Sequence, residues 1–391
     1  MNRLLILDSE EHNLRIEKIR TALAHTSAQA ILVTDNANIF YITGRVFAGQ
    51  IYIPLLGPVI FFIRRPVGLE GDGVVYIRKA EQMAESLGLN MPESLALELD
   101  ITAYSTVKRL SAIFPGTEIV NGSPVMRIAR SVKTPAEIRM MKISGEKQER
   151  VYRRIPHLFR PGMTDLELQV EIERTSRLEG CLGQFRISGD SMELYMANIL
   201  VGDNADTPTP YDFAMGGEGL DPSLPVGCNG TVIKPGYSVM VDANGNYTGY
   251  MTDMTRTFAA TTIEPLAEKA HRTSIEICKA IADAGKPGTP AKTLYEIAEK
   301  MAKEVGLERY FMGHAQKAGF VGHGVGIEIN ELPVLAPRSK DILQEGNAIA
   351  VEPKFVIPKV GAVGIENTYI VTHDGMERIT CAPEEIISLE K

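Results

Sequence analysis

The chain has 391 residues, of which 44% are hydrophobic and 23% are charged, and its formal net charge is −8. These values are those of an ordinary globular protein, and the acidic balance, with no strongly basic stretch to offset it, argues against a nucleic-acid partner. At roughly 100–200 residues per domain, the length predicts two domains.

The apolar segments of the chain are short. The run from Leu4 to Leu7 leads directly into the acidic residues DSEEH, so it does not resemble an export signal. The longest segment, IYIPLLGPVIFFI, is interrupted by Pro54, Gly57 and Pro58 and falls short of the roughly 20 residues that a membrane span needs. We therefore expect a cytoplasmic protein without a membrane partner.

The cysteines carry no recognisable site. They are Cys181, Cys228, Cys278 and Cys381. No two of them form a C-x-x-C pair, and their spacing suggests neither a disulfide framework nor a zinc site. We expect them to be reduced and buried.

The first part of the chain alternates helix and strand patterns. Residues 8–25 have the apolar spacing of an amphipathic helix, and AILVTDNANIFYITG predicts a buried strand followed by a polar turn. The segments PVIFFI and GVVYI are two further strand candidates. This alternation predicts an α/β domain.

A domain boundary is predicted near residue 134, where a long helix begins. Thr134 is placed as N-cap, Pro135 at the first helical position and Glu137 at the third, which is a capping box with proline in its favoured position. We therefore expect one domain over residues 1–133 and a second over residues 134–391.

Three more helices are predicted in the second domain. GMTDLELQVEIERTSRLEG repeats the capping box, with Thr164 as N-cap and Glu167 three residues later. Residues 264–285 and 289–306 have helical periodicity and end at glycine.

Two acid-bearing strand pairs accompany these helices. Residues 239–258 place Asp242 and Asp253 at two predicted strand ends, and residues 347–372 place Glu352 and Glu366 in the same way. Two helix pairs and two such hairpins predict one architectural unit used twice. Buried acids that lie together without a partner are costly, so a cation is needed between them.

A histidine completes this set. His323 lies in GFVGHGVGIEINELP, where glycines on both sides allow a close backbone approach and leave the imidazole exposed. Four carboxylates and one imidazole suit a pair of divalent ions, either manganese, cobalt, iron or zinc. Ions about 3.5–4 Å apart, bridged by carboxylates, would neutralise the acidic cluster.

The order of these motifs resembles the pita-bread metallohydrolase family, which includes creatinase, prolidase and Xaa-Pro aminopeptidase. VDANGNYTGYMTDMTRTF is similar to its two-aspartate motif, GHGVGIEINELP to its histidine motif, and VEPKF and GIENTYIVT to its two glutamate motifs. NANIFYITG resembles a motif of the creatinase-type N-terminal domain, and RIARSVKTPAEIRMM resembles the linker that follows it. The likeness covers nearly the whole chain.

The resemblance implies a fold and a site. The expected fold is an α/β N-terminal domain followed by an α+β pita-bread catalytic domain with pseudo-twofold halves. The implied metal ligands of two divalent ions are Asp242, Asp253, His323, Glu352 and Glu366. Asp253 and Glu366 are expected to bridge the ions, while Glu352 and His323 are the expected catalytic residues. Relatives in this family are commonly homodimers.

The departures from the family lie around the substrate. Family histidines are replaced by Val226, Gly319 and Asn330, and a family arginine is replaced by Gly364. His314 is a candidate substitute, although a solvated loop histidine is the simpler reading. Lys354 stands where the family has glycine. Altered substrate binding is therefore expected at Val226, Gly319, Asn330, Gly364 and His314.

The leading hypothesis is a dinuclear metal-dependent hydrolase of a C–N bond, similar to Xaa-Pro dipeptidases and aminopeptidases. Its partner would be a small peptide or a small amide. The first alternative is a creatinase-like hydrolase or a lyase that acts on a small non-peptide substrate. The second is a non-catalytic binding protein on the same scaffold, which is disfavoured because all five ligand positions are matched.

Overall fold

The computed structural model describes residues 2–189 and 193–390. The chain forms two compact units, Met1–Arg130 and Ser131–Lys391. The sequence-based boundary after residue 133 stays a prediction.

The first unit is built around one mixed sheet of six strands in the order β4-β3-β2-β1-β5-β6. Its strands are β1 (Ala30–Val33), β2 (Ala48–Pro54), β3 (Ile60–Arg65), β4 (Val74–Tyr76), β5 (Ser94–Leu97) and β6 (Glu118–Asn121). Its helices are α1 (Ser9–Leu23), α2 (Asn36–Thr43), α3 (Glu81–Leu87), α4 (Tyr104–Ile113) and α5 (Ser123–Ser131). The predicted α/β character of this part of the chain is confirmed.

One local prediction in this unit is wrong. The segment predicted as a polar turn after β1 is the helix α2. The Asp35 carboxylate accepts hydrogen bonds from the amides of Ala37 and Asn38, and Gly44 ends the helix with a φ of 76°. An N-cap and a left-handed glycine therefore enclose two helical turns, although the segment begins with polar residues.

The second unit contains three sheets and five helices. The helices are α6 (Pro135–Tyr152), α7 (Ile155–Leu158), α8 (Asp165–Leu178), α9 (Pro265–Ala284) and α10 (Ala291–Glu304). One sheet has the order β17-β9-β8-β7, a second has the order β11-β10-β12-β15-β16, and β13 and β14 form a separate pair. The strands are β7 (Ala197–Val201), β8 (Ser238–Asn246), β9 (Met251–Ala259), β10 (Gly322–Gly324), β11 (Glu331–Leu335), β12 (Ala348–Val351), β13 (Lys354–Ile357), β14 (Gly361–Gly364), β15 (Asn367–Thr372), β16 (Gly375–Arg378) and β17 (Ile387–Ser388).

Both predicted capping boxes are present. Thr134 and Glu137 satisfy each other's backbone amides at the start of α6, and Thr164 and Glu167 do the same at the start of α8. These reciprocal hydrogen bonds use local sequence alone, which is why the pattern predicted the helix starts correctly.

The first acid-bearing hairpin differs from its prediction. Asp242 and Asp253 lie inside β8 and β9 rather than at strand ends, because both strands continue beyond the acids toward the turn at 247–250. In the antiparallel register Asp242 pairs with Thr255, and Asn244 pairs with Asp253. Residues two apart face the same side of a strand, so the two aspartates are diagonal neighbours on one face of the sheet.

The second acid-bearing segment is more complex than one hairpin. The strands β12 and β15 pair with each other, with Val351 opposite Asn367. Glu352 follows β12 and Glu366 precedes β15, so these acids do lie at strand ends. The connection between them contains its own hairpin, β13 and β14, in which Lys354 lies opposite Gly364.

Packing around these elements is largely apolar. Residues of α9 and α10, including Ile277, Ile281 and Leu294, share one buried cluster with Val351 and Phe355. Three cysteines are buried as predicted, but Cys381 is exposed because it lies in the irregular segment between β16 and β17. In the described ranges, none of the helices has the length and apolarity that crossing a bilayer requires.

Candidate metal centre

The structure brings the five predicted ligand residues together in two overlapping groups. Asp253, His323 and Glu366 form the first group, and Asp242, Glu352 and Glu366 form the second. Within each group, one possible ligand atom per residue lies within 4.8 Å of the others. Glu366 belongs to both groups, in keeping with the bridging position that the family resemblance implies.

Three strands and the ends of two others produce this arrangement. The sheet of β8 and β9 supplies the aspartates, while β10 supplies His323 and pairs with β12 at Ala350. Glu352 directly follows β12, and Glu366 directly precedes β15. These two strands pair with each other. The amide of Thr255 donates to the Glu366 carbonyl and the amide of Glu366 donates to the Thr255 carbonyl, which joins the two sheets at the site.

Arg256 stabilises the junction between these two sheets. Its buried guanidinium donates to the carbonyls of Thr255 and Glu366 at 2.7 and 2.8 Å, and to the Asn367 amide oxygen at 2.8 Å. This residue is part of the aspartate motif but is absent from the predicted ligand set. Its role is to hold β9 against the segment that carries Glu366.

A buried lysine lies between the acids of the second group. The Lys354 ammonium is 2.8 Å from Asp242 Oδ2, 2.7 Å from Glu352 Oε2 and 3.2 Å from Glu366 Oε2. Sequence reasoning identified Lys354 as a departure from the family but assigned it no role. The signal was available, because residues 352 and 354 are two apart in an extended segment and point to the same side.

In the first group, one carboxylate oxygen is left unpaired within the described residues. Glu366 Oε2 accepts hydrogen bonds from the Thr255 hydroxyl at 2.8 Å and from Lys354. Glu366 Oε1 is buried and has no hydrogen-bond partner among the residues of 2–189 and 193–390. An orphaned carboxylate oxygen beside a second carboxylate and an imidazole has the donor chemistry of a divalent-ion site. Asp253, His323 and Glu366 therefore fit a divalent ion.

Burial and mutual charge perturb these groups strongly. Burial, with a contribution from the charge of Asp242, raises the pKa of Asp253 to about 7. Burial and the charges of Asp253 and Glu352 raise the pKa of Glu366 well above its ordinary range. Crowding of these buried acids therefore favours their protonated forms.

The pKa shifts of Glu352 and His323 favour the charged forms of these groups instead. Burial alone would raise the pKa of Glu352, but the Lys354 ammonium and His323 lower it to about 2. Burial alone would lower the pKa of His323, but its contact with Glu352 and the charge of Asp253 raise it to about 9. His323 Nε2 lies 3.3 Å from Glu352 Oε1, and this contact is the geometric basis of both shifts.

A cavity opens beside the ligands. Its empty volume is about 650 Å³, which includes space that is open to solvent. Its lining includes the candidate ligands Asp242, Asp253, His323 and Glu352. Apolar and aromatic side chains also line it, among them Ile187, Leu194, Tyr195, Phe213, Phe320 and Ile329.

Of the predicted substrate-binding residues, Asn330 lines this cavity. Its amide is already engaged, because its oxygen accepts from the Ser188 amide at 2.7 Å and its nitrogen donates to the Ser188 carbonyl. The hydrogen bonds of the Asn330 amide are therefore directed to the wall segment. Asn330 fixes that segment beside the cavity.

The remaining predicted substrate-binding residues do not line the cavity in the described chain. Val226 is fully buried in the loop over residues 216–227, where its amide donates to the Leu224 carbonyl. Gly319 is exposed with open space around it, and Gly364 lies opposite Lys354. His314 is bound to Asp206 at 2.8 Å, so it is neither a solvated loop residue nor a residue of the cavity wall.

Metal binding is expected to strengthen as pH rises. A ligand imidazole must lose its proton, so an ion that binds His323 displaces a proton from a group with a pKa of about 9. The affinity for Mn²⁺ should increase about tenfold per pH unit between pH 7 and 9, and more steeply below pH 7, where Asp253 is also protonated. Isothermal titration calorimetry in buffers of different ionisation enthalpy measures both the affinity and the protons released.

The raised pKa of His323 also predicts how the thermal stability of the protein in chelator depends on pH. His323 has a raised pKa, so its contribution is fully present below its ordinary value of 6.5 and is lost as pH rises toward 9. Thermal unfolding in chelator should therefore show a falling Tm over that window, and saturating Mn²⁺ should remove the fall.

The affinity prediction has its own contradicting outcome. An affinity for Mn²⁺ that stays constant from pH 6 to 9 would contradict the assignment of His323 as a ligand.

Comparisons with known proteins place this geometry in a family. Residues 139–373 match the model of metallopeptidase family M24, and residues 15–132 match the creatinase/prolidase N-terminal domain. A Xaa-Pro dipeptidase of Pyrococcus horikoshii is 25% identical, with 96% of this chain and 99% of the relative covered. An uncharacterized peptidase of Bacillus subtilis is 26% identical, with 96% of this chain and 100% of the relative covered.

Solved structures agree with the sequence relatives. A Xaa-Pro dipeptidase from Bacillus anthracis superposes with a TM-score of 0.80 at 25% identity, covering 96% of this chain and 99% of that chain. The prolidase from Pyrococcus horikoshii superposes with a TM-score of 0.76 at 23% identity, covering 95% and 99%. The predicted fold class and the family resemblance are both confirmed. The chain belongs to metallopeptidase family M24 and carries the creatinase/prolidase N-terminal domain ahead of its catalytic domain.

Proposed function

We propose that this protein is a metal-dependent hydrolase that cleaves a C–N bond in a small peptide or amide. The observation that carries the proposal is the meeting of Asp253, His323 and Glu366 beside a cavity of about 650 Å³. Relatives named Xaa-Pro dipeptidase support the reaction class. The ligand set of two carboxylates and one imidazole suits manganese, cobalt, iron or zinc.

The chain's own residues supply binding and proton handling. A divalent ion at this group would supply Lewis acidity and a nucleophile that is available near neutral pH. Glu352 lines the cavity and its low pKa keeps it ionised, so its carboxylate is the proposed acceptor of a proton from the attacking group. His323 holds its position by a hydrogen bond between Nδ1 and the Gly324 carbonyl at 3.0 Å, which leaves Nε2 directed to the site.

A second candidate substrate class is a small non-peptide amide or cyclic amidine. The observation that favours it is the composition of the cavity wall, where His323 is the one histidine among the described lining residues. No imidazole from positions 226, 319 or 330 is available to stabilise a developing oxyanion, and the loss of one such donor typically reduces turnover by about 10²–10³. Slow peptide hydrolysis and faster cleavage of a non-peptide substrate are therefore proposed. A lyase reaction on such a substrate remains part of this alternative.

The test is a substrate panel on protein reconstituted with Mn²⁺, Co²⁺, Fe²⁺ or Zn²⁺. Xaa-Pro dipeptides and tripeptides are compared with small amides and amidines, and kcat/KM is measured for each. We expect peptide values below about 10⁵ M⁻¹s⁻¹, an ordinary value for an enzyme on its own substrate, and a higher value for a non-peptide amide. Peptide values at or above that level would restore a prolidase function, and no turnover of any substrate would favour the binding-protein alternative.

The assembly and compartment stay predictions. The family resemblance predicts a homodimer, and the sequence predicts a cytoplasmic location. Light scattering at several protein concentrations tests the first of these.

A further inference from the structure

The side chain of Lys354 ends among three acids that the sequence predicted to be metal ligands. Its ammonium contacts one oxygen each of Asp242, Glu352 and Glu366, at 2.7–3.2 Å. These are the three residues of the second ligand group. An ion bound to that group would compete with the ammonium for the same three carboxylates.

Hydrogen bonds and strand pairing fix the position of the Lys354 backbone. The Lys354 carbonyl accepts a hydrogen bond from the Met312 amide at 2.8 Å. In the β13–β14 hairpin, Lys354 lies opposite Gly364. A Cβ atom at Gly364 would lie 3.1 Å from the Lys354 Cα atom and 2.7 Å from the Pro353 carbonyl oxygen. Glycine at 364 therefore allows the close approach that places residue 354 beside the acids.

The ammonium lies in a buried part of the described chain. Lys354 is fully buried, and Phe355 and Val356, which follow it, are also buried. Moving a charged ammonium from three carboxylates into an apolar surrounding is costly. Keeping it in place beside a second ion is also unfavourable, because positive charges at close range repel each other strongly where little water screens them.

The two ligand groups differ in their need for a cation. In the second group, Lys354 donates to all three acids. In the first group, the Glu366 Oε1 atom is buried and has no partner among the described residues. The acid cluster is therefore complete on one side and open to a cation on the other.

We propose that the Lys354 ammonium replaces one of the two metal ions, so that the centre binds a single divalent ion through Asp253, His323 and Glu366. Asp242 and Glu352 then serve as ligands of the ammonium rather than of a metal. This changes the sequence-based expectation of two ions. It rests on the proposed metal-dependent function, but metal content tests it independently of turnover, so an inactive substrate panel would leave it standing.

The test is the stoichiometry of Mn²⁺ binding in wild type and Lys354→Gly. Apo-protein is titrated with MnCl₂ by calorimetry, and bound metal is counted by mass spectrometry after gel filtration. We expect one ion per wild-type chain and two per Lys354→Gly chain, since removal of the ammonium opens the second group. Lys359→Gly is the matched control, because Lys359 is exposed in the turn of the same hairpin and has a φ of 69°, which glycine adopts readily.

Two further measurements keep the test decisive if Lys354→Gly folds poorly. The electron paramagnetic resonance spectrum of wild type with excess Mn²⁺ should show an isolated ion, without the signature of a spin-coupled pair. Asp242→Asn should retain one ion, because Asp242 is not a ligand of that ion. Two tightly bound ions in wild type, a coupled spectrum, or one ion in a folded Lys354→Gly protein would overturn the proposal.

Discussion

Asp253→Ala is expected to lose tight binding of the divalent ion and, with it, about 10³-fold or more of kcat/KM. The first ligand group contains three residues, and this change leaves His323 and Glu366 alone. The ion contributes several kcal/mol of transition-state stabilisation, and each 1.36 kcal/mol corresponds to about a factor of ten in rate. Metal content after gel filtration is the primary measurement, and turnover of the best substrate from the panel is the second.

Asp212→Ala is the matched control for this variant. Asp212 also lines the cavity, but it belongs to neither ligand group. Its removal takes a carboxylate from the same cavity and should leave the metal content unchanged. If Asp253→Ala retained the metal content of wild type, Asp253 would be removed from the ligand set.

Lys354→Met is expected to have the largest effect on stability in the absence of metal. The change leaves the acids at 242, 352 and 366 without the cation that they share. Removing one partner of a buried charge cluster typically costs about 3–5 kcal/mol. Urea unfolding in chelator at pH 7.5 should show this loss, whereas Lys359→Met, at the exposed turn of the same hairpin, should change stability little.

The size of this effect should depend on pH and on metal. Lowering the pH protonates the unpaired acids and relieves their repulsion, so the difference from wild type should shrink toward pH 5. Mn²⁺ should stabilise Lys354→Gly more than it stabilises wild type, because an ion can then occupy the position of the lost ammonium. Equal stability of Lys354→Met and wild type in chelator would show that the ammonium is not needed to hold the acids together.

The five candidate ligands were recognisable from sequence because they lie in local sequence motifs. Each acid adjoins or lies within an apolar strand, and His323 lies between glycines. Capping boxes at Thr134 and Thr164 define helix starts through contacts only three residues apart. Local patterns of this kind carry their own physical cause, so a single sequence predicts them well.

Other features of the site depend on contacts between distant residues. Lys354 and Asp242 are 112 residues apart in sequence, and they meet because β14, the partner of β13, packs against β8 and β9. The engagement of Asn330 with Ser188, 142 residues away, likewise depends on how a loop folds over the cavity. The hydrophobic periodicity of the sequence does not reveal such pairings, because the whole core determines strand register and sheet packing.

The sequence by itself therefore determined the family, the order of the five candidate ligands and the helix starts. Only the tertiary structure decided which oxygens the Lys354 ammonium contacts, that Glu366 Oε1 is left without a partner in the described chain, and that Val226 faces a loop interior. The physical reason is that residue type defines which chemistry is possible, while the distances that make charges pair or repel arise only when separate strands pack together.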